Sequence, residues 1–234
     1  MALPKLEAPI YELEVPSTGE KIKYRPFLVK EQKTLMIANE SEDDKQIQNA
    51  LASIVSECTF GAIDPHEVPM FDIEFLFLRI RGKSVGETVT LNVLCPDDEK
   101  TRVEVKVNLE DIQVQLTATH TNEVLINDDI KVFMRYPTLN DMTDVAGTSD
   151  VEDIFTMVKR CINEVHDGEN IYHKIDMSDK ELDEFILNLP SKIFEQLGEF
   201  FETMPKVLHV MKVKNPKTKK TGEVVIEGIQ SFFE

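Results

Sequence analysis

The sequence predicts an α+β protein, with antiparallel β-hairpins in its N-terminal and central parts and amphipathic helices packed with them. The C-terminal third reads as mainly helical and closes with a last hairpin. Two patterns carry this reading. Runs of alternating apolar residues flank turn-forming residues near 10–24, 88–107 and 207–226. Apolar stripes at helical spacing occupy much of what lies between. At 234 residues and 41% hydrophobic content, the chain can bury one large core or two modest ones.

Ile10, Leu13 and Val15 precede Pro16-Ser17-Thr18-Gly19, and Ile22 and Tyr24 follow it, which predicts a hairpin with a glycine-containing loop. Pro26, which has no N–H for a ladder, ends the second strand. Leu28, Val29, Leu35 and Met36 then suggest a helix with one buried apolar face. After the acidic run Asn39–Asp44, either Asp43 or Asp44 can cap a helix carrying Ile47, Leu51, Ile54, Val55 and Cys58. The segment MFDIEFLFLRIRGKSVG is apolar on every side, as a helix buried in its own domain or in a complex would be.

From Glu87 the period becomes two. Val89, Leu91, Val93 and Cys95 line one strand, Pro96–Lys100 turn, and Val103, Val105 and Val107 return. A second pair is expected at Glu123–Asn127 and Ile130–Tyr136. Asp150 can cap a helix whose stripe runs Val151, Ile154, Phe155, Val158, Ile162 and Val165, to a stop at Asp167-Gly168. Ser178–Glu181 is a capping box ahead of Leu182, Phe185, Ile186 and Leu189. Beyond Pro190 a further helix carries Ile193, Phe194, Leu197, Phe200, Phe201 and Met204, and Val207–Val213 and Glu223–Ile226 form the closing hairpin. No internal repeat or low-complexity linker is visible. The expected divisions are residues 1–86, 87–137 and 138–234, either as separate parts or as one compact unit.

Lys and Arg total 26 against 43 Asp and Glu, a net charge of −17. Such a chain repels phosphate backbones and anionic membrane surfaces, and attracts basic protein surfaces. The longest apolar run, Phe71–Ile80, is far too short to span a bilayer, and MALPKLEAP lacks a signal peptide's organisation. Three widely spaced cysteines argue against a disulfide framework and for a reducing cytoplasm.

No catalytic, cofactor or metal constellation emerges. Cys95-Pro96 sits at a hairpin tip, where a zinc knuckle would place a ligand, but Asp97 and Asp98 stand where a second thiolate is needed. The five histidines form no HExxH pair, Asp167–Asn170 lacks the EF-hand spacing, and the Lys217–Lys220 cluster reads as a solvated tip. Cys58 and Cys161 read as small core residues. The chain therefore reads as non-enzymatic and without cofactors. The candidate partner-binding residues are aromatic: Phe71, Phe75 and Phe77 in the apolar helix, and Phe232 and Phe233 at the C-terminus.

IYELEVPSTGEKIKYRPFLVKEQKTLMIA, PMFDIEFLFLRIRGKSVGE, VEVKVNLEDIQV and the terminal FFE together resemble the baseplate hub assembly proteins of T-even-type contractile-tailed bacteriophages. The resemblance spans most of the chain and is strongest before about residue 115. It implies a non-catalytic factor in virion morphogenesis that helps hub subunits fold or join, or else a stoichiometric hub subunit. The implied partners are other baseplate hub proteins, with self-association a further possibility. The implied location is the infected host's cytoplasm or the tail baseplate.

Overall fold

In the computed structural model, residues 7–41, 43–142 and 150–228 are described. The chain runs β1 (Tyr11–Glu14), β2 (Lys21–Tyr24), α1 (Val29–Glu40), α2 (Asp44–Cys58) and α3 (Met70–Val85). Next come β3 (Thr88–Leu94), β4 (Arg102–Asn108), β5 (Gln113–Gln115), β6 (Glu123–Leu125), β7 (Lys131–Met134) and α4 (Leu139–Met142). After α5 (Asp150–Cys161) follow β8 (Ile162–His166), β9 (Ile171–His173), α6 (Asp179–Leu187), α7 (Ser191–Thr203), β10 (Lys206–Lys214) and β11 (Thr221–Glu227). This is an α+β fold of small antiparallel sheets. Its contacts separate two units, Met1–Gln115 with Lys206–Glu234, and Leu116–Pro205.

The first unit is built on α3. Ile73, Leu76, Phe77, Leu78 and Ile80 are almost fully buried, as a helix apolar on all sides must be to avoid water. Its buried polar groups are satisfied by neighbouring backbone. Asp72 accepts from the Ser17 N–H at 3.0 Å and from the Ser17 hydroxyl, which ties the β1–β2 turn to the helix. Arg79 donates to the Leu109 and Ile112 carbonyls, both at 2.5 Å. Each of these bonds offsets the cost of burying a charged group. Asp43 caps α2 by accepting from the N–H groups of Lys45 and Gln46.

Two expectations from spacing need correction. Leu28, Val29 and Met36 of the first helix region are exposed, and Leu35 is only half-buried. The side of α1 that turns inward carries Glu31 and Ala38 instead. A charged residue takes the inner position because Arg25 awaits it there. The predicted helix through Val165 also fails. α5 ends at Cys161, and Ile162–His166 is a strand pairing with β7, Val132 opposite Val165. Apolar residues three apart suit a strand with one bulge as well as a helix, and the ladder of β7 needed a partner. With β8 and β9, the C-terminal third is less helical than its spacing suggests.

The second unit holds the four-stranded sheet β6-β7-β8-β9. Val132, Cys161 and Ile162 meet Leu182, Leu197 and Phe200 of α6 and α7 in its core. The Ser178 capping box is present: its hydroxyl oxygen accepts from the Glu181 N–H, and the Glu181 carboxylate accepts from the Ser178 N–H.

A local arrangement that the sequence hides occurs twice. After β1–β2, Arg25 gives its N–H to the carbonyl of Cys58 at the end of α2, and its guanidinium to Glu31, six residues on. After β6–β7, Arg135 gives its N–H to the carbonyl of Cys161 at the end of α5, and its guanidinium to Asp141, six residues on. In both series a later helix starts at a proline, Pro69 before α3 and Pro190 before α7. Each series then ends in a hairpin with an X-Pro turn, Cys95-Pro96 in β3–β4 and Asn215-Pro216 in β10–β11. The second series also carries β8, β9 and α6 between α5 and α7, where the first has only a loop between α2 and α3. The same X-Pro loop closes β1–β2. Gly19, Glu99 and Lys219 hold its left-handed position, with φ of 70°, 51° and 66°, and each donates its N–H to the residue before the proline.

Candidate protein-binding surfaces

The described residues hold no group of three or more His, Cys, Asp or Glu that could bind a metal ion. The three thiols are buried and unpaired with one another. Burial pushes Cys58 up to about 11 and Cys161 up to about 12, so both stay protonated near neutrality. His120 has the most catalytic appearance, its ring nitrogens 3.0 Å from the Thr203 hydroxyl and 3.1 Å from that of Tyr136. Yet its ring stacks on Tyr136 and leans on Phe200, and burial lowers its pKa. The bond to Thr203 anchors the Thr117–Thr121 loop to α7, and the bond to Tyr136 ties it to the end of β7. Glu164 bridges His166 at 2.8 Å and His173 at 3.3 Å across β8 and β9, which is a strand-pair contact.

Phe71, Phe75 and Phe77 all lie in the core of the first unit, at 5%, 9% and 0% exposure. Phe75 also receives the Arg79 guanidinium over its ring, 4.5 Å from the centroid. Phe232 and Phe233 lie outside the described residues. The apolar surface that the structure does expose is elsewhere. In the first unit, Val29, Met36 and Ile37 of α1 are more than half exposed, with Leu28 beside them. Val29, Met36 and Ile37 fall at i, i+7 and i+8, so they share one face of the helix.

In the second unit a groove of about 760 Å³ opens between α5 and α7. Met142, Ile154, Met157, Phe194, Phe201 and Met204 supply its apolar lining. Ile154 is 47% exposed although it belongs to the apolar stripe of α5. The sequence holds a signal for this groove. On α7, Ile193, Leu197 and Phe200 fill the core, and Phe194 and Phe201 widen the apolar arc beyond what the core covers. The density of aromatic residues near residue 75 reflects burial in the core of the first unit.

A family model described as T4 bacteriophage base plate protein matches residues 8–234. Among curated proteins, the chain is similar to the baseplate hub assembly protein gp26 of Enterobacteria phage T4. The two are 24% identical over 228 residues, covering 96% of this chain and 98% of the relative. No solved structure matches.

Proposed function

The chain belongs to the T4 bacteriophage base plate protein family, and from that premise we propose that it acts in assembly of the baseplate hub. It works there by binding, as a non-catalytic factor that helps hub subunits fold or join. The observation that supports this most is end-to-end similarity to a protein named for hub assembly, over 96% of one chain and 98% of the other. Surface chemistry is consistent with it. Apolar faces on α1 and between α5 and α7 stand open in an acidic chain, as expected of a protein that covers sticky surfaces and meets basic ones.

Co-expression of this chain with each hub subunit of its own phage, followed by affinity capture, tests the reading. Retention of a hub subunit, or its conversion from aggregate to soluble protein, is the expected result. Failure to retain or solubilise any of them rejects the proposal. Mass spectrometry of purified tails then separates the two forms of the role. Absence from mature particles fits a transient assembly factor, and stoichiometric presence identifies a structural hub subunit.

A further inference from the structure

We infer that the groove between α5 and α7 receives an amphipathic helical segment of a partner protein, carrying apolar residues on one face and Lys or Arg beside them. The inference rests on the binding role proposed above and names the partner chemistry for one surface. Two independent features of α7 lead to it.

The first is Gly198. Phe194, Gly198 and Phe201 follow one another at i, i+4 and i+7, so the glycine makes a notch between two phenyl groups on the groove wall. A glycine within a helix weakens it relative to alanine. Here neither backbone nor packing demands one. Its φ lies outside the left-handed region, and a Cβ built on it meets nothing within 4 Å. The fold could accept alanine, so the notch has its use in close approach by something outside the chain, as a helix entering a groove requires.

The second is charge. Glu195, Glu199 and Glu202, again at i, i+4 and i+7, run alongside the notch, and all three are exposed. No described cation pairs with any of them, and no Lys or Arg lines the groove among the described residues. An apolar floor beside a row of unpaired carboxylates complements an apolar stripe flanked by cations. It disfavours acidic or purely apolar occupants, including another copy of this acidic chain.

The test uses the full chain and two synthetic amphipathic helices. One has a leucine stripe flanked by lysine, and the other has the same stripe flanked by glutamate. Fluorescence anisotropy should show the lysine peptide binding at least about tenfold more tightly. Gly198→Leu should abolish that binding without unfolding the protein. Gly198→Ala should raise the melting temperature while weakening binding, an opposition that loss of fold could not produce. Equal binding of both peptides, or lysine-peptide binding that survives Gly198→Leu, overturns the inference. So does binding that appears only when residues 143–149 are shortened, or a wild-type dimer that Gly198→Leu makes monomeric. The hub reading fails or stands separately. If Gly198→Leu still captures a hub subunit, the assembly role holds and the groove is not its site. If wild type captures none but binds the lysine peptide, the reverse is true.

Discussion

Arg25 in the first unit is sealed in: its side chain is 13% exposed and that of its partner Glu31 only 3%. One guanidinium nitrogen donates to Glu31 at 2.7 Å, and the other to the Pro26 carbonyl and the Cys58 sulfur. In the second unit Arg135 is 35% exposed, and it grips Asp141 with two nitrogens at 2.6 and 2.8 Å while also donating to the Arg160 carbonyl. The first pair is less exposed to solvent and is joined by a single bond, with Lys30 also reaching Glu31 at 3.1 Å. The open pair is bidentate and has water at hand. Identical placement in the two series thus produces different dependence on the acidic partner, because what decides the cost of losing a charge's partner is whether water can replace it.

Removing the carboxylates breaks the comparison most strongly. Glu31→Ala strands a buried guanidinium and frees the Leu28 N–H that Glu31 also satisfies, and should cost about 3–4 kcal/mol. Asp141→Ala should cost about 2 kcal/mol, since water can solvate the exposed third of Arg135. Urea unfolding of the two variants, followed by far-UV signal, ranks them. Equal losses would show that solvent access is not the deciding term.

Acid provides a second, graded version of the same test. Burial works to raise the Glu31 pKa, but the bonds from Arg25, the Leu28 N–H and Lys30 prevail and hold it at about 2. Asp141 is also lowered, with burial opposed by Arg135 and Thr138. A carboxylate depressed in the folded state contributes its stability above its ordinary pKa and loses it as pH falls through the folded value. Stability should therefore decline from about pH 5 toward pH 2, as the ordinary carboxylate pKa near 4.3 is passed. Glu31→Gln, though less stable near neutrality, should flatten that decline more than Asp141→Asn does. An unchanged slope in Glu31→Gln would remove the sealed pair from the account.

The two closing hairpins differ as the clamps do. Gly222 lies opposite Val213 as Val103 lies opposite Val93, yet a Cβ on Gly222 would come within 2.4 Å of the Pro96 ring. The tips of these hairpins also meet through Asp97, which accepts from the Asn215 amide at 2.8 Å and from the Thr218 hydroxyl. Gly222→Ala should cost about 1–3 kcal/mol by overpacking against a rigid ring. Val103→Ala, on the half-buried partner hairpin, should cost less. A thermal melt of each variant distinguishes them.

What the sequence disclosed follows from the range of each interaction. Period-two alternation and caps are local, so β3–β4, β10–β11, a cap at Asp43 or Asp44 and the Ser178 box were all legible from neighbouring residues, and the structure chooses Asp43. The inward turn of Glu31 was not, because it depends on Arg25 being carried to the end of α2 by a backbone bond to Cys58. The repeat stayed hidden for a similar reason. Its fixed points are an arginine, an acid, a cysteine carbonyl and a proline, and only the arginine-to-acid spacing is constant while the rest varies with inserted elements. Apolar density near residue 75 likewise reflects burial, and the groove's signals are the wide apolar arc made by Phe194 and Phe201 and the glycine between them in α7.

The smallest change grafts a detail of one clamp into the other. Before α4, Thr138 both donates its N–H to Asp141 at 2.8 Å and places its hydroxyl 2.9 Å from the same carboxylate oxygen. Before α1, Leu28 holds the equivalent position, donates its N–H to Glu31 at 2.8 Å and has no side-chain group to add. It is also substantially exposed, so little apolar burial depends on it. Leu28→Thr should therefore stabilise the first unit by about 0.5–1 kcal/mol, through a second bond to Glu31 or a hydroxyl cap on a free N–H of the first turn. The gain should vanish in a Glu31→Ala background if the new hydroxyl acts through the carboxylate, and persist if it caps the helix directly. A double-mutant cycle on unfolding free energies reads the difference.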